Sequence, residues 1–172
     1  MAKSAGLAQK FFHGIYDLSG DIGAISSWST PVGVLDVTGI DKSATERLQG
    51  LVSGNFSFNA FFNDAAAAEH VALRVPSSGT VVTYAIGQTV GDVAGMTQAL
   101  ATNYDPTRGP DGGLVFDIEM LTNATLPVWG VMLTPGLKTD TGAANGATLD
   151  QGAQTTAGAE AILHVTSFTG SN

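Results

Sequence analysis

Between residues 55 and 63 polar and apolar side chains alternate. Phe56, Phe58, Ala60 and Phe62 fall on one side of an extended chain, and Ser57, Asn59 and Asn63 on the other. This is the period-two pattern of a half-buried strand. Each inward Phe contributes roughly 1.5–3 kcal/mol on burial, enough for this run to anchor one sheet. Similar signals predict strands over residues 24–29, ended by Pro31, over the β-branched run 34–38, and over 81–86, 96–104, 113–121 and 127–133. In the 113–121 segment Phe116, Ile118 and Met120 share one face, and Val115, Asp117, Glu119 and Leu121 the other. Two acids on the outer face of an apolar strand need water or a partner, because burial without one is costly.

Two stretches carry the 3.6-residue signature instead. Residues 64–75 begin with an alanine run of high helix propensity, offer Asn63 or Asp64 as a cap, and stop at Pro76. Ala68, Val71, Ala72 and Val75 would share one face of that helix and Ala67, His70 and Arg74 another. A shorter helical turn is predicted over residues 41–50, with Ser43 and Glu46 at capping-box spacing and Gly50 ending it. Residues 102–113 are rich in turn formers and predict a long hairpin connector.

Together these elements predict a mainly β fold, a β-sandwich or partly open β-barrel with one flanking α-helix and long extended arms. The expected organisation is an amino-terminal arm over 1–23 and a core over 24–133 that contains helix 64–75. An extended arm or linker follows over 134–160, and a last strand over 161–172. Phe11 and Phe12, in an arm without clear periodicity, would be an exposed cost unless a neighbouring copy covers them. Residues 134–158 hold almost no large hydrophobes and cannot build a core alone. The last strand would pair with the main sheet or with another copy. The two ends are thus expected to find order against identical copies, and a solitary chain with both ends folded back would count against that.

Composition narrows the function classes. A chain of 172 residues suits one domain. Only 13% of residues are charged while 44% are hydrophobic, more apolar surface than a small monomer needs, which hints at self-association. No cysteine is present, so disulfides and thiolate metal sites are excluded. No apolar run approaches the ~20 residues of a membrane helix, and no signal-peptide pattern opens the chain, so synthesis in a cytoplasm is expected. The formal charge of −8 disfavours tight nucleic-acid binding, which relies on Lys and Arg neutralising phosphates. It does not disfavour letting nucleic acid pass, since a like-charged wall prevents sticking.

No catalytic set emerges. His13, His70 and His164 lie far apart in sequence, and no nucleophile-elbow, phosphate-loop or zinc motif appears. Asp117 and Glu119 are two residues apart on one strand and cannot flank a sugar from opposite sides, as a glycosidase pair must. Asp105 and Asp111 lack the closely spaced acids of a calcium loop. No enzyme activity, cofactor or metal is expected, and Arg108 is assigned to an acid of an adjacent copy.

The order Asp36-Val37-Thr38, Glu46, Leu48, Gly50-Leu51, Gly54 and Ser57-Phe58 resembles the motif of the major tail proteins of long-tailed phages. The nearest likeness is to those of phages infecting actinobacteria. Residues 104–109 (Tyr-Asp-Pro-Thr-Arg-Gly) and the late Leu163-His164-Val165 to Phe168-Thr169-Gly170 add to it. One departure is Ala44-Thr45 where such proteins often carry an aromatic. The resemblance implies a structural virion protein, a tail-tube subunit stacked as homohexameric rings that conduct DNA during ejection. It also implies other tail proteins, such as tape measure and tail terminator, as partners. In that setting Asp117 and Glu119 would face the lumen, and Phe11, Phe12 and Arg108 would contact neighbouring subunits. The alternative is a capsid decoration or carbohydrate-binding β-module, with Trp28 or Trp129 forming an exposed sugar platform.

Overall fold

The computed structural model describes residues 6–76, 78–142 and 158–168. The elements in order are β1 (Lys10–His13), β2 (Tyr16–Asp17), β3 (Ile22–Ser29), β4 (Val32–Asp36), β5 (Arg47–Val52), β6 (Asn55–Phe61), α1 (Glu69–Leu73), β7 (Thr80–Ala85), β8 (Val93–Arg108), β9 (Leu114–Thr122) and β10 (Val128–Val131). One antiparallel sheet runs β2-β1-β7-β8-β9-β6-β3, with β10 added beside the first part of β8. Strands β4 and β5 form a separate two-stranded sheet.

The phenylalanine alternation of β6 builds the core. Phe56, Phe58 and Ala60 are buried, and their β9 partners Met120, Ile118 and Phe116 are buried with them. Phe11 on β1 lies 4.7 Å from Phe58, ring centroid to centroid, although β7, β8 and β9 stand between the two strands in the sheet. Trp28 on β3 likewise reaches Tyr84 on β7 at 5.8 Å. The sheet therefore curls until its two ends face each other across the core. Among the described residues no ladder joins β3 to β1, so the structure is an open, curled sheet and not a closed barrel. Leu18, fully buried between β2 and β3, sits at that opening; its amide donates to the Phe11 carbonyl at 3.0 Å.

Two local devices shape β8. A bulge between Ala101 and Asn103 shifts the register against β9, so that Ala99 and Tyr104, five residues apart, both turn to the core. Gly95 leaves room for Trp28, since a Cβ there would sit 2.8 Å from the indole ring.

Several expectations are corrected. The helix spans Glu69–Leu73 rather than 64–75. Asn63 instead closes a turn by accepting the Ala65 amide, Ala67 takes a positive φ of 64°, and Asp21 accepts the Glu69 amide at 3.1 Å. A long-range cap thus fixes the start, and the alanine run, with nothing large to bury, stays outside. Ala68, Glu69 and Leu73 are the buried positions, while Val75 is exposed. Residues 41–50 form no helix: Ser43 and Glu46 lie in the hairpin loop, and Gly50 sits inside β5 against Gly33. The long connector shrinks to residues 109–113, because β8 continues through Tyr104, Asp105 and Pro106 to Arg108. Proline is tolerated there because the β7 pairing ends at Ala99 and leaves that edge of β8 open.

The ends also differ. The amino-terminal segment is not a free arm from Lys10 onward but supplies β1 and β2. Phe11 and Phe12, at 3% and 5% exposure, are covered by this chain itself. Residues 158–168 form no strand with the main sheet. The rest of the expected arm, 143–157, and the last four residues lie outside the described residues.

Replacing Gly95 by Ala is expected to push Trp28 off β8 and to cost about 1–3 kcal/mol, the usual overpacking penalty. Denaturant unfolding and Trp28 emission in a Trp129→Phe background read this out. An unchanged midpoint and spectrum would show that Trp28 does not depend on the gap.

Candidate assembly surfaces

The β4–β5 hairpin is the least satisfied part of the chain. Every residue of β4 is exposed, and Leu35 pairs directly with Leu48 across the ladder. Val32, Val34, Leu48 and Leu51 add to the same uncovered set, Leu51 being 92% exposed. A lone two-stranded hairpin is marginal in water; Leu35 and Leu48 lie on one of its faces and Val34 on the other, and uncovered apolar side chains on both faces point to an interaction site.

The neck of the hairpin is nevertheless well defined. Asp36 Oδ1 accepts hydrogen bonds from the Thr38 amide (2.9 Å) and hydroxyl (2.6 Å), and Thr38 Oγ1 accepts the Glu46 amide at 2.9 Å. Those bonds from Thr38 hold the Asp36 carboxyl below the usual carboxylate range. Val37 closes the neck by donating its amide to the Glu46 carbonyl at 3.0 Å. Asp36, Thr38 and Glu46 therefore meet where the two strands enter the 37–46 loop. Ser57 lies in the polar layer of β6 and Phe58 in the core, so the motif also spans both faces of that strand.

A second surface is the sheet face turned away from the core. Asp117 and Glu119 are exposed there. Asp117 stands between Asn59 on β6 and Asp105 on β8, and Glu119 between Ser57 and Asn103. No basic side chain occupies any of these paired positions. Arg108 is exposed near the end of β8, at the opposite register to Leu114.

The third surface is an apolar groove of about 600 Å³ on the other side of β1, β7, β8 and β10. Phe12, Met96 and Met132 line it, and residues 158–164 run along it. His164 fixes that segment. Its Nδ1 is 2.6 Å from the Gly14 carbonyl oxygen, its Nε2 is 2.8 Å from Thr83 Oγ1, and its ring stacks on Phe12 at 5.4 Å. Spacing in sequence gave no sign that His164 would meet the β1–β7 face.

Buried polar groups cluster beside these surfaces. Both His13 ring nitrogens are buried without a partner. Burial, and then the nearby His164, lower its pKa to about 4. The Glu69 carboxyl is fully buried next to Tyr104 and is pushed above the ordinary range, chiefly by burial. His70, half-buried, places Nδ1 3.0 Å from the Tyr104 hydroxyl. Among the described residues no three His, Asp or Glu side chains converge as a metal site. Trp28 is packed against Phe56 at 4.2 Å, and only Trp129 is half exposed. Of the two, Trp129 alone presents an exposed ring.

No protein-family model matches the chain, and no curated protein matches it by sequence. Solved structures do match. An extracellular contractile injection system sheath/tube terminator (PVC, extended state) superposes with a TM-score of 0.60 at 8% identity, over 76% of this chain and 98% of that one. A chain of the virion of a native gene transfer agent particle gives 0.58 at 14%, over 76% and 99%. A chain from the tail of an empty gene transfer agent particle with C6 symmetry gives 0.52 at 18%, over 73% and 97%. The likeness is one of fold. It covers nearly the whole length of those chains, so the curled sheet described above is their shared architecture.

Because His13 is neutral when folded and titrates near 6.5 when unfolded, the unfolded chain binds more protons below that value. Its contribution is present above about 6.5 and is lost as pH falls toward about 4. Wild type should therefore lose stability relative to His13→Leu over that window. Denaturant melts at several pH values check this, and a pH-independent difference would contradict it.

Proposed function

We propose that this chain is a tail-tube subunit of a phage-like particle, which stacks as rings into the conduit for DNA. The observation that carries this reading is the apolar β4–β5 hairpin, which has no cover among the described residues. The fold shared with tube and terminator components supports it, as does the resemblance of the hairpin-neck motif to long-tailed phage proteins. Ring size six follows from that resemblance, and so does partnership with tape-measure and terminator proteins in the virion tail. The chain ends lend no support, since Phe11, Phe12 and His164 are engaged internally.

In this reading the face bearing Asp105, Asp117 and Glu119 lines the channel. Fixed negative charge there repels phosphates, and because screening sets in over ~8 Å, only charges on the wall matter to passing DNA. Arg108 meets an acid of the adjacent copy. A second reading, a terminator that caps the tube as a single ring, is favoured by the likeness to the injection-system terminator and to the tube-terminating cap of the anti-feeding prophage. Electron microscopy of the purified protein separates the two: long tubes support the first, discrete rings the second, and monomers at every concentration contradict both.

Two variants test the surfaces. Leu35→Lys with Leu48→Lys should abolish sedimentable assembly while leaving the monomer's unfolding midpoint nearly unchanged. Normal assembly would remove the hairpin from the interface. Tubes carrying Asp117→Lys and Glu119→Lys should retain DNA in a salt-sensitive manner that wild-type tubes lack. No difference in DNA retention would reject the lumen assignment.

A further inference from the structure

We infer that the groove on the β1–β7–β8–β10 face is the socket for the β4–β5 hairpin of a second copy, and that residues 158–164 are a strap covering it before assembly. The inference rests on the tube reading and names the partner site within it. Three features carry it.

First, the groove and the hairpin match in chemistry and lie apart on the chain. Phe12, Met96, Met132 and Leu137 supply apolar walls, and no hairpin residue lines them. An apolar insert and an apolar socket at different places on one molecule make a heterologous contact, the kind that closes into rings or runs on as filaments. Second, each has an open backbone edge. Among the described residues strand β10 pairs only with β8, and its Gly130 and Val131 line the groove. Among the described residues strands β4 and β5 pair only with each other. Adding the hairpin beside β10 would satisfy edge groups on both copies while burying its Val and Leu side chains.

Third, the strap is held weakly for its length. Among the described residues, none of its backbone groups is hydrogen-bonded to another backbone group. Ile162 and His164 turn inward, while Leu163 and, further along, Val165 and Phe168 point to solvent. The two polar contacts of His164 and its stacking on Phe12 are the specific attachment. Release of one side chain thus frees the segment and opens the socket.

The cysteine-free chain allows a direct test with Leu35→Cys on the hairpin of one copy and Leu137→Cys on the groove wall of another. In assembled material a mixture of the two, treated with a short bis-maleimide, is expected to give a mixed cross-linked dimer that neither variant gives alone. Adding His164→Ala should raise the initial cross-linking rate several-fold. On the monomer it should also speed proteolytic cleavage within 158–168, with β1–β10 remaining protected. Assembly without the mixed cross-link overturns the socket alone. Cleavage and cross-linking rates unchanged by His164→Ala overturn the strap. Failure to assemble at all overturns the tube reading on which both stand.

Discussion

The packing of Phe11 on Phe58 is the contact on which the architecture turns. It joins two strands that are far apart in the sheet, and holding them 4.7 Å apart at their rings requires the whole sheet to curl. Curling assigns the faces. The apolar side of β6, β9 and the bulged half of β8 closes around Leu18, Phe56 and Ile118, and the polar side, with its acids, is left outside. It also uses up the apolar concavity, so among the described residues the β4–β5 hairpin has no sheet to lie on.

That division leaves uncovered apolar side chains in the middle of the chain, on β4 and β5, as well as at Leu163, Val165 and Phe168. Amino-terminal residues that lack periodicity are drawn into the sheet by pairing with β7, and Phe11 becomes a core residue. The late segment is fastened by His164. The hairpin, by contrast, is ordered at its neck by Asp36, Thr38 and Glu46 and bare along its strands. A hairpin tied at its loop end and presenting uncovered apolar side chains suits a docking element, because the ordered loop has less conformational freedom to lose on binding.

Much of this was legible in the chain's pattern. The alternations at 55–61 and 113–121 reported both the strands and their buried faces, since period two is a direct consequence of strand geometry; Phe62, expected on the buried face, lies beyond β6 and is exposed. They also marked Asp117 and Glu119 as outward. What local pattern does not carry is long-range. The Asp21 cap that shortens the helix comes from 48 residues away, and the contact between His164 and Gly14 spans 150. The bulge at residue 102 reverses which side of β8 faces the core, so a strict alternation through 96–104 assigns Tyr104 to the same face as Met96 when it packs with Ala99. Capping-box spacing at Ser43 and Glu46 gave way to ladder pairing of β4 with β5, which satisfies more backbone groups than one helical turn.

The central claim is that identical copies bury the hairpin and enclose the acidic face. A three-dimensional reconstruction of the assembled protein tests it most directly. The account predicts Leu35, Leu48 and Leu51 covered by a neighbouring subunit, and Asp117 and Glu119 on the wall of an axial channel. Hairpins left exposed to solvent, or those two carboxylates on the outer wall or in a subunit contact, would contradict it.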